Sequence, residues 1–155
     1  MSATKPFFVP QKEINLINSM NEELIDEIIG QTVDIYKIDV EESDDNIYGE
    51  SLTKYFKQAF RVNCLVLFNE PTTEQNEFGP DTNVDMEMYF HRNSLADADF
   101  FPEIGDIVDW NDFYWEMNEV VEPQLIAGHP DYKHQIRAKA HRIRNSSLQI
   151  EERPR

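Results

Sequence analysis

The sequence predicts an α+β domain, with an N-terminal amphipathic helix followed by an antiparallel β-barrel or sandwich of five to six strands. Three observations carry this. Apolar residues recur at helical spacing over one long stretch, 11–29. Elsewhere they alternate with polar residues at period two, most cleanly over 84–91 and 133–143. Between the alternating runs stand clusters of Gly, Pro, Asn and Asp. A chain of 155 residues suits one domain, and area scaling lets a monomer of this size bury roughly 70% of its unfolded surface.

Residues 1–10 (MSATKPFFVP) read as an arm, because Pro6 and Pro10 flank Phe7, Phe8 and Val9 and leave little room for regular structure. Over 11–29 the apolar positions Ile14, Ile17, Leu24, Ile25 and Ile28 share one helical face, with Glu22, Glu23 and Asp26 largely opposite. Gly30 stops that helix at the position where a left-handed residue is commonest. Residues 32–40 (TVDIYKIDV) read as a strand, and 41–46 (EESDDN) as a polar turn. Residues 50–57 suggest a short helix with Ser51 as its cap and Leu52, Tyr55 and Phe56 on one face. AFRVNCLVLF reads as a strand bounded at 69–71, and 70–82 as a loop by composition.

Val84, Met86, Met88 and Phe90 then alternate with Asp85, Glu87, Tyr89 and His91, the pattern of a half-buried strand. Residues 102–106 form a turn that launches 107–110, and Asn111-Asp112 reverses the chain into 113–121. There Tyr114 or Trp115, Met117 and Val120 are the candidate core positions. After a second loop at 123–132, residues 133–143 alternate Ile136, Ala138 and Ala140 against Arg137, Lys139 and His141. The resulting plan is an arm at 1–10, a single domain at 11–143 and a basic tail at 144–155.

The 14 Lys+Arg against 30 Asp+Glu give a formal charge of −16, unevenly placed. Residues 1–132 hold 7 basic and 28 acidic groups (−21), whereas 133–155 hold 7 basic and 2 acidic (+5). Such a body repels a phosphate backbone within the Debye length of roughly 8–10 Å, which disfavours ordinary nucleic-acid binding by the main domain. Cys64 is the only cysteine, so a disulfide scaffold is excluded. No apolar run approaches the roughly 20 residues that span a bilayer, and the N-terminus has no basic-then-apolar leader. The expectation is a soluble protein made in a reducing compartment, with no membrane partner.

Chemistry-bearing patterns are few. His129, Asp131, His134 and His141 lie close in sequence, but zinc motifs usually add Cys, and His134 and His141 fall on opposite faces of a strand. A calcium loop from Asp44 would have Asn46 third and Gly49 sixth, but its twelfth place is Tyr55, which cannot close the site. Neither a nucleophile elbow nor a Gly-rich phosphate loop is present, and Cys64 sits in an apolar run where an inert thiol is expected. No catalytic residue, metal or cofactor is expected. Trp110, Phe113, Tyr114 and Trp115 surround one reversal, and period two turns one of the adjacent Tyr114 and Trp115 outward, a candidate protein contact.

The order of elements, the phrase Ile47-Tyr48-Gly49-Glu50, and PEIGDIVDW leading into FYWEMNEVVEP resemble the neck, or head-completion, proteins of T-even-type tailed phages. Gly105-Asp106 before a strand and a hairpin ending Val121-Glu122-Pro123 also resemble the smaller stopper proteins of other tailed phages. The likeness follows residues 11–150 in element order and is sharp at 47–50 and 102–123; the C-terminal extension of the T-even proteins has no counterpart in SSLQIEERPR.

It implies a non-enzymatic virion protein of the head–tail neck, assembled in the host cytoplasm. Subunits would form a sixfold or twelvefold ring below the portal, close the DNA channel, retain packaged DNA and provide a platform for the tail. The implied partners are other copies, a portal-side adaptor, a tail terminator or tube-side protein, and genomic DNA passing without specific binding. Glu70, Glu74, Glu77 and Asp81 are then candidates for the channel lining or gate. Phe7, Phe8, Ile47, Tyr48, Gly49, Glu50, Trp110, Phe113, Trp115, Arg142, Arg144, Arg153 and Arg155 are candidates for subunit or partner contacts. The alternative is a free acidic module that mimics DNA or binds a protein.

Overall fold

A computed structural model describes residues 11–38, 54–56, 58–76, 79–122, 133–143 and 148–149. The helix α1 (Gln11–Glu23) runs into one wider π-helical turn (Leu24–Ile29). It ends as expected at Gly30, left-handed at φ 56°, whose N–H reaches back five residues to the Ile25 carbonyl at 3.1 Å. Of the five apolar positions expected to share its face, only Ile14 and Ile25 are buried; Ile17, Leu24 and Ile28 are exposed.

The strands are β1 (Thr32–Tyr36), β2 (Lys54–Tyr55), β3 (Phe60–Asn63), β4 (Leu65–Phe68), β5 (Thr72–Asn76), β6 (Gly79–Asn83), β7 (Asp85–His91), β8 (Ile107–Trp110), β9 (Phe113–Val121), β10 (Gln135–Arg142) and β11 (Leu148–Gln149). A short helix α2 (Arg92–Asp97) follows β7. Seven strands form one antiparallel sheet in the order β3-β1-β8-β9-β10-β7-β4, which confirms the α+β class and raises the strand number above the five or six expected.

The run expected as one strand, AFRVNCLVLF, is two. It breaks at Cys64, and its halves β3 and β4 are the two opposite edges of the sheet. In a flat sheet those edges would stand about 29 Å apart. Joined through Cys64 alone, Asn63 and Leu65 can be separated by at most about 7.6 Å between Cα atoms. The sheet is therefore curled until its edges meet at this corner, where the Cys64 N–H donates to the Gln31 carbonyl at 2.8 Å. Curvature is helped by a bulge in β9: Lys139 pairs with Glu119 but Ala140 with Met117, leaving Asn118 extra.

Period two then fills the inside. Met86, Met88 and Phe90 of β7, Ile136, Ala138 and Ala140 of β10, Trp115 and Met117 of β9, Val108 of β8, and Val33 and Ile35 of β1 form one buried cluster with Val62 and Cys64. The two alanines stand in register with Met88 and Met86, so small residues on the central strand make room for long ones on its neighbour. Val120, expected in the core, is half-buried and packs against this cluster.

Other expectations change. Residues 70–82 were expected as a loop but contain the hairpin β5–β6, since a backbone ladder needs no apolar side chains. The described part of 50–57 is extended: Lys54 and Tyr55 pair in parallel with Leu148 and Gln149, and Phe56 bridges Ile38. An isolated helical turn lacks the length to repay its nucleation, and pairing partners win. β1 stops at Tyr36 rather than continuing to 40. β10 begins at Gln135. α2 was not foreseen; its single buried residue is Leu95, too little to set a periodic pattern. The turn at 41–46, the loop at 123–132 and residues 47–50 lie outside the described residues.

Candidate functional site

Three of the four described aromatic and arginine candidates gather with Phe68 at one end of the curled sheet. Asn111 and Asp112, both at positive φ (53° and 63°), make the expected tight reversal and bring Phe113 into register with Trp110. Trp115 is 1% exposed and donates its Nε1–H to the Trp110 carbonyl at 3.2 Å. Phe68 of β4 lies edge-on to Trp115 at 6.0 Å between ring centroids and tilted to Trp110 at 6.2 Å. Strands three and four places apart touch only because the sheet is curled. The fourth candidate, Arg142, lays its guanidinium 3.6 Å from the Phe113 ring centroid. Phe68 and Phe113 remain exposed at this rim, whereas Trp115 is core and available to no partner.

The basic block at 133–155 looks different once folded. Lys133 and Arg92 both bond Glu122, at 3.0 and 3.1 Å, and Arg137 bonds Glu119 at 3.1 Å. Lys139 stands in register between Glu87 and Glu119, and His141 between Asp85 and Glu116. β10 is thus a cationic strand laid between two anionic ones. Burial alone would raise the Glu122 carboxyl, but the bonds from Lys133 and Arg92 outweigh it and hold the group below its ordinary value. Arg144, Arg153 and Arg155 lie outside the described residues, as do Phe7, Phe8, Ile47, Tyr48, Gly49 and Glu50.

Of the acidic candidates, Glu70 is exposed, just before the hairpin. Glu74 and Asp81 are register partners across β5–β6, so the fold brings these two positions together. Glu77 lies outside the described residues.

The Gly105-Asp106 turn has a structural explanation. Gly105 has φ 94°, and a Cβ there would stand 3.2 Å from Ile38 Cδ1. Asp106 is buried, accepts the Glu103 N–H at 2.8 Å and lies 3.5 Å from Lys37 Nζ. Burial pushes its carboxyl up, against the pull of the Glu103 N–H and of Lys37. Backbone bonds Gly105 N–H to Met117 and Met117 N–H to Asp106, at 2.8 and 2.9 Å, fasten the turn to β9.

One polar chain, Asp26–Ser94–His91, escaped sequence reading because its members are 68 and 3 residues apart. Ser94 Oγ–H donates to Asp26 Oδ2 at 3.1 Å, so the Ser94 oxygen receives Nδ1–H of His91 at 3.2 Å. A serine whose proton is committed to a carboxylate, beside an imidazole that donates to it, is not an activated nucleophile. The chain ties the π-helical turn to the sheet beside a cavity of about 180 Å³ lined also by Phe60, Arg61 and Val62. His91 Nε2 and His134 Nδ1 are buried without a partner among the described residues. Burial, then the neighbouring His91, holds His134 below its ordinary value. Cys64, fully buried at the seam, is pushed up to about 12 by burial, which makes its thiol inert at neutral pH. Among the described residues no group of three His, Cys, Asp or Glu is placed to hold a metal ion.

No family model matches this chain, and no curated protein does. Among solved structures it is similar to a chain described as "Virion of native gene transfer agent (GTA) particle", at 12% identity and a TM-score of 0.49, over 73% of this chain and 94% of that one.

Proposed function

We propose that this protein is a structural component of a virion neck. In this reading identical subunits form a ring below the portal, close the DNA channel and receive the tail. The observation that carries it is the disposition of charge. Lys133 and Arg137 pair within the subunit with Glu122 and Glu119, Lys139 stands in register with Glu87 and Arg142 lies on Phe113, while the molecule keeps a surplus of carboxylates. A channel wall of this kind lets DNA slide, since tight phosphate contacts would hinder ejection. The stretch 102–122 supports the same reading, folded as a turn and a β8–β9 hairpin, although the short helix expected over 50–57 is extended where it is described. Glu70, Glu74, Glu77 and Asp81 are the proposed lining, and the rim of Phe68, Phe113 and Arg142 a proposed contact with a neighbour.

The test is mass photometry of the full chain with its portal-side neighbour, followed by cryo-electron microscopy of the assembled neck. The expected result is a closed sixfold or twelvefold ring with a carboxylate-rich bore, and gene-deleted particles that package DNA, leak it and fail to join tails. A persistent monomer that inhibits a DNA-binding enzyme would overturn the neck reading in favour of a free acidic mimic.

A further inference from the structure

The helix α1 and its π-helical turn are an amphipathic element whose apolar side is largely left exposed among the described residues. Ile14 and Ile25 are its buried anchors, with Asp26 tied to Ser94. Beside them Leu16, Met20, Leu24 and Ile28 recur every four residues and are 59, 61, 44 and 69% exposed, with Ile17 at 38%. In an α-helix four-residue spacing drifts gradually around the axis. The wider turn from Leu24 onward reverses that drift and holds Ile28 in line with Met20. The result is a contiguous apolar ridge along the element rather than a scatter of single exposed residues.

Charge selects what can lie on it. Residues 11–29 carry Lys12 against Glu13, Glu22, Glu23, Asp26 and Glu27, that is 1 − 5 = −4. Its acids concentrate at the C-terminal end, so two copies packed in parallel would oppose Glu22, Glu23, Asp26 and Glu27 to one another. Two packed antiparallel would set a single Lys12 against four acids at each end, which leaves either pair with a net charge of 2 × (−4) = −8. The chain's own tail is a poor counterpart too: 144–155 sums to 3 − 2 = +1. An anionic lipid surface is repelled. We propose that the ridge is a docking site for a basic amphipathic helix of a different protein, one with apolar residues at three- and four-residue spacing flanked by Lys or Arg. This inference does not depend on the ring.

The test uses the full chain and a synthetic amphipathic peptide of leucine and lysine at helical spacing. Its companions are a leucine–glutamate twin, an oligolysine without leucine, and vesicles of phosphatidylcholine with phosphatidylglycerol. NMR chemical-shift mapping should place the leucine–lysine peptide on Leu16, Met20, Leu24 and Ile28. Met20→Ser with Ile28→Ser, both exposed and so compatible with folding, should weaken it about tenfold or more. Equal binding of oligolysine or of the leucine–glutamate twin, or vesicle binding, would overturn the proposal. So would shifts centred elsewhere, or self-association of the chain that Met20→Ser with Ile28→Ser abolishes.

Discussion

The curled sheet and the helix that precedes it use apolar side chains in opposite ways. On β7 and β10 every inward position, from Met86 to Phe90 and from Ile136 to Ala140, is buried, and outward charges are matched across the strands. Along α1 and its π-helical turn two isoleucines anchor the element, while a ridge of five large apolar residues faces solvent among five acids and one lysine. A curled sheet buries its inward face against itself and leaves its outward face to paired charges. A lone helix on its outside can bury only one stripe, and what remains is free for another molecule.

The contrast is testable from its strongest point downward. Trp115→Ala removes the largest fully buried side chain and should cost about 3–5 kcal/mol, read as a lower denaturation midpoint of the whole domain. Ile14→Ala should cost about 2–4 kcal/mol, but locally: hydrogen exchange of 11–29 should accelerate while β7 and β10 keep their protection. If both variants lowered all amides equally, helix and sheet would be one cooperative unit and the contrast would fail. Ser94→Ala breaks the tie to Asp26 and leaves His91 Nδ1 without its acceptor, at about 1–3 kcal/mol, again concentrated in the helix.

Acid should act through His134. Its folded value lies below the ordinary 6.5, so the unfolded chain binds the extra proton first. The contribution is complete above pH 6.5 and is lost as pH falls toward the folded value; His134→Gln should flatten that part of the stability profile measured in urea. Smallest of all, Arg137→Ala should cost about 0.2–1 kcal/mol, shrinking further in salt, because the Arg137–Glu119 pair is partly exposed. Sedimentation at low and high salt would show whether the cation also matters between molecules.

Periodicity and turn chemistry were enough to read the helix with its Gly30 stop, the half-buried strand of Met86, Met88 and Phe90, and the Asn111-Asp112 reversal. These are local properties: a 3.6-residue or two-residue repeat and a positive φ leave their mark within a few residues. The hairpin at 72–83 left no such mark, because Thr, Glu, Gln and Asn pair through backbone alone. Of the candidate site, the aromatic reversal was legible, while the arrival of Phe68 beside Trp110 and Trp115 was not.

Composition set the acidity. The local order of side chains set the α+β class and the identity of the inward and outward residues of β7 and β10, since a repeat depends only on which side chains follow one another. Long-range pairing decided that a single apolar run would part at Cys64 to become both edges of one sheet. It also decided that Lys133 and Arg137 would meet Glu122 and Glu119, and that Asp26 would reach Ser94. Contacts between distant residues follow from strand pairing, which sets which strands are neighbours, and from the curl of the sheet, which brings β4 onto β8 and β9.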